Sequence, residues 1–290
     1  MGLPEAAPEP PGTARALPGS RPPNERELRY GLRQYARRYG PWGIVVVNLA
    51  TFFLIWQILA SAKIVDPLFL PTVTGMFTAL KNGFADGTLG TAVAFSLRNF
   101  AIGMGLACVV GIPLGLIMGA SRVVYSIFSP YVWSLQSLPR VAVMPLLLLI
   151  FGFSVKAELT LIFISAIFPL IINCMAGVKT VEPGLIRAGH VFGAGKLDIY
   201  RRIIFPYTLP FILSGVNQGM SRGLVGMVIA EIFGGNNGLG YLTQRAGETY
   251  NSALLYAVLL ILVVIALSFV QGVRWLEAKA APWRNQGLGA

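Results

Sequence analysis

The chain has 290 residues, of which 55% are hydrophobic and only 12% charged, with a mean hydropathy of +0.67. Soluble domains carry about 25% charged residues, so the composition argues against a soluble enzyme and for a polytopic membrane protein. The net charge of +11 falls between apolar runs, which makes it an orientation signal and a match to anionic lipid. It does not describe a nucleic-acid surface, and no nucleic-acid partner is expected.

Residues 1–24 are rich in Pro, Gly and Ala without a hydrophobic period and are expected to be a disordered tail. They lack the short apolar core of a signal peptide. Residues 25–39, ERELRYGLRQYARRY, fit either a short interfacial helix or an unstructured basic flank. The domain reading is therefore a basic cytoplasmic tail over 1–40, a transmembrane domain over 41–277 and a cytoplasmic C-terminal tail over 278–290.

The first span is expected from Trp42 to Leu59, between Pro41 and Lys63. Pro67, Pro71 and Gly87 break the segment that follows, although TVTGMFTALKNGF can form an amphipathic surface helix before the turn at Asp86 and Gly87. The second span, 91–118, places Gly103, Ala107, Gly111, Gly115 and Gly119 four residues apart, a stripe where a neighbouring backbone can approach closely. Pro113 should bend it. The third, 127–151, is interrupted by Pro139, Arg140 and Pro145. FGFSVKAEL reads as a turn, and the fourth span follows over 159–178. A polar loop then leads to the fifth, 205–232, which carries Pro206, Pro210, Arg222 and Glu231. FGGNNGLGYLTQRAGETYNS reads as a glycine-rich loop that cannot pack by itself, before the sixth span over 253–276.

Six spans leave both termini on one side. That side holds the seven arginines from Arg15 to Arg38 with Arg122, Lys179, Arg187, Lys196, Arg201, Arg202, Arg274, Lys279 and Arg284; the other holds Lys63, Lys81, Lys156 and Arg245. The positive-inside rule places the termini and the 179–202 loop in the cytoplasm. Cys108 and Cys174 lie in apolar runs without metal spacing, and His190 is the only histidine. No metal site and no catalytic residue is expected.

The loop between the fourth and fifth spans has a helix-turn-helix rhythm. Glu182 and Pro183 open a first helix with Leu185, Ala188 and Phe192 on one side. Gly193 stops it. A second helix starts at Ala194 or Gly195, with Leu197, Tyr200 and Ile204 facing one way and Arg201 and Arg202 another. Pro206 and Pro210 should mark re-entry into the bilayer. The GAGK at 193–196 is not a phosphate-binding loop. That motif needs Gly at His190 and Ser or Thr at Leu197, where the magnesium-binding hydroxyl would stand.

This loop resembles the signature loop of binding-protein-dependent ABC importer permeases, E-A-A-x-x-x-G followed after nine residues by I-x-L-P. Arg187 takes the Glu position, Ala188 the first Ala, Gly189 the second and Gly193 the Gly; Ile203, Ile204, Phe205 and Pro206 take the last four. The Glu-to-Arg and Ala-to-Gly departures remove any contact that needs the acid but keep the helix-Gly-helix shape. The likeness extends from about residue 71 to 275 through LPTVTGMFTAL, GIPLGLIMGASR, MPLLLLIFG and AEIFGGNNGLGYL. It is closest to permeases of the nitrate, sulfonate, taurine and bicarbonate group.

The resemblance implies an all-α type I ABC importer permease fold with about six transmembrane helices in the bacterial inner membrane. It implies a second permease copy, two cytoplasmic ATPase subunits that hold the ATP and Mg, and an extracytoplasmic solute-binding protein. Within the 179–204 loop, residues Arg187, Ala188, Gly189, Gly193, Ala194, Gly195, Lys196, Leu197, Tyr200 and Pro206 would form the ATPase-coupling segment.

Charged or polar residues inside spans are costly unless they face protein or water. Arg98, Arg140, Arg222 and Glu231 are therefore either paired for structure or part of a pathway for a small anion; Asn217, Gln218 and Ser221 give the fifth span a polar face. Asn173 suits a bond between helices. An ion-gradient-driven secondary transporter is the alternative, and it would favour an internal repeat and more than one intramembrane acid.

Overall fold

The computed structural model describes the backbone from Glu25 to Ala280 and the side chains of residues 43–279. The expected tails at 1–24 and 281–290 lie outside the described residues. All described secondary structure is helical: α1 (Glu25–Ser61), α2 (Val73–Ala85), α3 (Thr88–Ala120), α4 (Arg122–Gln136), α5 (Arg140–Phe151), α6 (Val155–Lys179), α7 (Pro183–Val191), α8 (Lys196–Ile199), a π-helical turn (Tyr200–Ile204), α9 (Phe205–Gly234), α10 (Leu239–Glu248) and α11 (Ser252–Ala280). The chain forms two compact units, 1–73 and 74–290.

In the first unit, α1 runs unbroken from Glu25 into the expected first span, so residue 40 is not a structural boundary. Its apolar part, Gly43–Ser61, is only 6% buried and presents Phe52, Leu54 and Ile55 outward, as a helix surrounded by lipid would. The Trp56 indole N–H donates to the Pro71 carbonyl at 2.9 Å and ties down the segment after the helix.

The second unit is organised around α6. Of its apolar span, 67% is buried, the largest share of any candidate span. Two glycine-faced helices clasp it. On α3, a methyl group at Gly103 would come within 2.6 Å of Ile162, one at Gly115 within 2.6 Å of the Ile171 carbonyl and one at Gly119 within 2.6 Å of Val178. This is the expected stripe, and its function is close packing. On α9, Gly215, Gly219, Gly223 and Gly226 meet Leu170, Ala166 and Ser165 in the same way. Without a hydrophobic drive between helices inside lipid, such backbone approach is what lets dispersion hold them together. Helix α3 continues through Pro113 without interruption.

Four segments are long and apolar enough to cross a membrane singly: Gly43–Ser61, α3, α6 and Ser252–Lys279. The expected interrupted span is two helices, α4 and α5, bent by 102° at Ser137–Pro139, and together they qualify as a fifth. The fifth expected span, α9, has 30 residues, about 45 Å of helix. It falls short on apolarity alone, because Asn217, Gln218, Arg222 and Glu231 lie in it.

Three expectations are corrected. Lys156 and Glu158 belong to α6 and not to a turn, because SVKAEL continues the helical period of the apolar run behind it. The glycine-rich segment after α9 does pack: α10 buries Leu239, Leu242 and Ala246, spaced three and four apart, and the two leucines join a cluster with Leu89, Ala92 and Val258. Finally, Pro206 interrupts nothing. The helical backbone is continuous from Lys196 through the π turn to Gly234, and the proline directly follows that turn.

Candidate functional site

The 179–204 loop folds as a helical elbow. Helix α7 starts after Glu182 with Pro183 in its first turn and ends at Gly193, whose φ of +77° is the left-handed geometry glycine favours. Ile186, Ala194, Tyr200 and Ile203 pack against buried Leu116, Cys174, Val178, Ile199 and Ile204, which anchors the elbow to the ends of α3 and α6. Gly189 lets this happen: a methyl group there would meet Ile203 at 3.1 Å. Burial pushes the Tyr200 phenol up from its ordinary value.

The outer surface of the elbow is apolar at its tip. Val191 is 84% exposed, Phe192 88% and Leu197 78%, and Leu185 is also exposed. Leu197 was expected to face the same way as Tyr200 and Ile204; it points outward, while Ile199, Tyr200, Ile203 and Ile204 take the inward positions around the π turn. Arg187, Ala188, Gly193, Gly195 and Lys196 are exposed beside it, while Gly189 and Ala194 are half-buried. Arg202 and Asp198 form a solvent-exposed ion pair at 3.6 Å, worth about 0–1 kcal/mol. A cluster of large apolar side chains in water, on a framework held from behind, is the form of a docking knuckle.

The residues considered for a pathway separate into two groups. Arg140, Asn217, Gln218, Ser221 and Arg222 lie on accessible or half-accessible surface. The Arg140 guanidinium donates to the Leu135 and Gln136 carbonyls across the α4–α5 break, at 3.1 and 3.4 Å, and covers the Phe168 ring at 5.3 Å. Gln218 donates to Asn173 at a long 3.4 Å, the helix-to-helix contact expected of Asn173. Asn217 and Ser221 edge an apolar groove of about 590 Å³ between α9 and α11. Arg98 is exposed on α3, apart from these.

Glu231 belongs to the second group. Fully buried, its carboxylate accepts the Gly240 N–H at 2.7 Å and lies against Gly238, where φ is +106° and a methyl group would overlap the carboxylate. Ser96 accepts the Leu239 N–H at 2.9 Å and also acts on Glu231. Nearby, Asn99 donates to Glu158 at 2.8 Å, both buried. Glu158 is thus a second buried acid, within the candidate span of α6. Ser96, Asn99 and Glu158 escaped the sequence reading because their partners lie far along the chain, 59 residues apart for Asn99 and Glu158. The only available signal was a carboxylate inside a helical period. The cluster fastens the first turn of α10 to α9 and α3, satisfying N–H groups that a helix start leaves open.

The family described as "binding-protein-dependent transport system inner membrane component" matches residues 111–281. The taurine transport system permease protein TauC of Escherichia coli (strain K12) is 31% identical over 82% of this chain and 89% of that protein. The nitrate import permease protein NrtB of Synechocystis sp. is 28% identical over 81% of this chain and 88% of that one. Among solved structures, a chain of the inward-facing MetNI methionine ABC transporter superposes with a TM-score of 0.61, covering 67% of this chain and 96% of that chain. At 19% identity that likeness is one of fold.

Proposed function

Since the chain belongs to the family of binding-protein-dependent transport system inner membrane components, we propose that its elbow is the contact through which a cytoplasmic ATPase drives the import of a small anionic solute. The protein is a multi-pass inner-membrane permease subunit of an ABC importer. Two copies would enclose the pathway and two ATPase subunits would seat on the two elbows. A binding protein would deliver solute from outside. Relatives named for taurine and nitrate share an oxyanion group as cargo, which supports the choice of an anion. The excess of Lys and Arg on the elbow side supports placing it, and the termini, in the cytoplasm.

The exposure of Phe192 and Val191 at the Gly193 turn carries this reading. Neither side chain has a reason to stay in water unless a partner covers it. Closure of an ATPase pair would displace the elbow, and the spans rigidly joined to it would exchange inward- and outward-facing arrangements, the ATPase contacts differing between the two. The test is co-purification with the ATPase. Phe192→Asp, and separately the bulky Gly193→Trp, should abolish complex formation and uptake while the permease still reaches the membrane. Undiminished complex and uptake in both variants would show that the elbow is not the coupling site.

A further inference from the structure

Two arginines distant in sequence come to one depth of the second unit. Arg140 opens α5 at the break of the bent span, and its guanidinium lies over Phe168, near the middle of α6. Arg222 stands on α9 at the same level, since Gly219 and Gly223, which bracket it, both pack on Ala166. The two are close enough for Arg222 to act electrostatically on Arg140. Neither forms an ion pair among the described residues, and the buried carboxylates Glu158 and Glu231 engage Asn99 and the start of α10 instead. Arg140 commits two N–H groups to carbonyl oxygens, leaving three of its five donors. Arg222 is exposed and has no hydrogen bond within the described residues.

Two like charges beside the middle of α6, without an ion pair among the described residues, must face water or an anion. Guanidinium forks match planar or trigonal oxyanions, to which they donate in pairs. One turn from Arg222, Gln218 offers an amide held only by its long bond to Asn173. Resting on the reading of the chain as an anion-importing permease, we propose that Arg140 and Arg222 form a transient binding station for a small oxyanion (a sulfonate, carboxylate or nitrate-like group) midway along the pathway. Two cations suit a single negative group held briefly: enough attraction to draw it from water, too little enclosure to trap it.

The station is testable without knowing the natural solute. The full chain in phosphatidylcholine nanodiscs is treated with phenylglyoxal, an arginine reagent, and modification is followed at each arginine by mass spectrometry. The probes are sodium methanesulfonate and sodium nitrate against sodium chloride at equal ionic strength. Both arginines should react, and both should react about threefold more slowly with an oxyanion at twice its dissociation constant, since protection scales as 1 + [L]/Kd. Arg201 and Arg202 on the elbow should be unprotected. Arg222→Gln, which removes no contact within the chain, should abolish protection at Arg140, whereas Arg222→Lys should retain most of it. Failure of the reagent to reach Arg222, equal rates in all three salts, or a Gln variant still protected would each overturn the station. So would protection by phosphatidylglycerol in the nanodisc with nothing added by methanesulfonate, since the occupant would then be a lipid phosphate. Binding of the partner ATPase to the same nanodiscs is scored separately; its absence would sink the importer reading and leave the protection result standing.

Discussion

Glu231 shows how one side chain can be misjudged by its charge. Within a span it suggests transport, yet its carboxylate is spent on the Gly240 N–H and on the space beside Gly238. Glu231→Ala leaves that buried N–H without an acceptor, at a cost of about 1–3 kcal/mol. Glu231→Gln keeps an oxygen there and should lose less. Thermal melting of the purified permease in detergent checks both, and an Ala variant as stable as the parent would remove the clamp from the account. Ser96 plays the companion part for Leu239. None of this pairing was visible in the sequence, because a residue's hydrogen-bond partner is a property of the folded neighbourhood. What was visible at this scale was cost: a charge in an apolar run must have a destination, and Arg140 and Glu231 each have a distinct one within the chain.

At the scale of elements, hydrophobic period and small-residue spacing served well where one helix packs on one neighbour. The stripe from Gly103 to Gly119 was legible and does lie against α6. The matching glycines of α9 were overlooked, since the polar residues interleaved with them drew the reading toward a cavity. Small and polar residues run in adjoining strips of the same helix: Gly215, Gly219 and Gly223 are buried while Gln218, Ser221 and Arg222 are exposed. Glycines misled in the segment before α10, where the count of glycines hid the spacing of Leu239, Leu242 and Ala246. The close approach yields a paired prediction on α3. Gly115→Ala drives a methyl group to 2.6 Å from the Ile171 carbonyl and 2.7 Å from Cys174, which should cost about 1–3 kcal/mol by forcing the helices apart. Gly105→Ala meets nothing within 4 Å and should be neutral or stabilising by up to about 1 kcal/mol. Equal melting temperatures for the two variants would contradict the packing described.

For the whole molecule, membrane class, family and the set of spans were legible from composition and the ordered set of motifs. The broken α4–α5 pair and the polar α9 defeat any tally based on apolarity. The orientation proposed from charge can be checked by labelling: Lys196→Cys should react with an impermeant maleimide only once the inner face is opened, and Asn236→Cys should react in intact cells. The opposite pattern would invert the proposed topology. Helix α8, the π turn and α9 make one unbroken shaft from Lys196 to Gly234, roughly 58 Å long at helical rise. A tilt of about 5° at the knuckle end then carries the far end through roughly 5 Å, simple geometry for a rod of that helical length. Because Glu231 grips α10 at that far end, a stroke begun at the elbow would carry α10 with it.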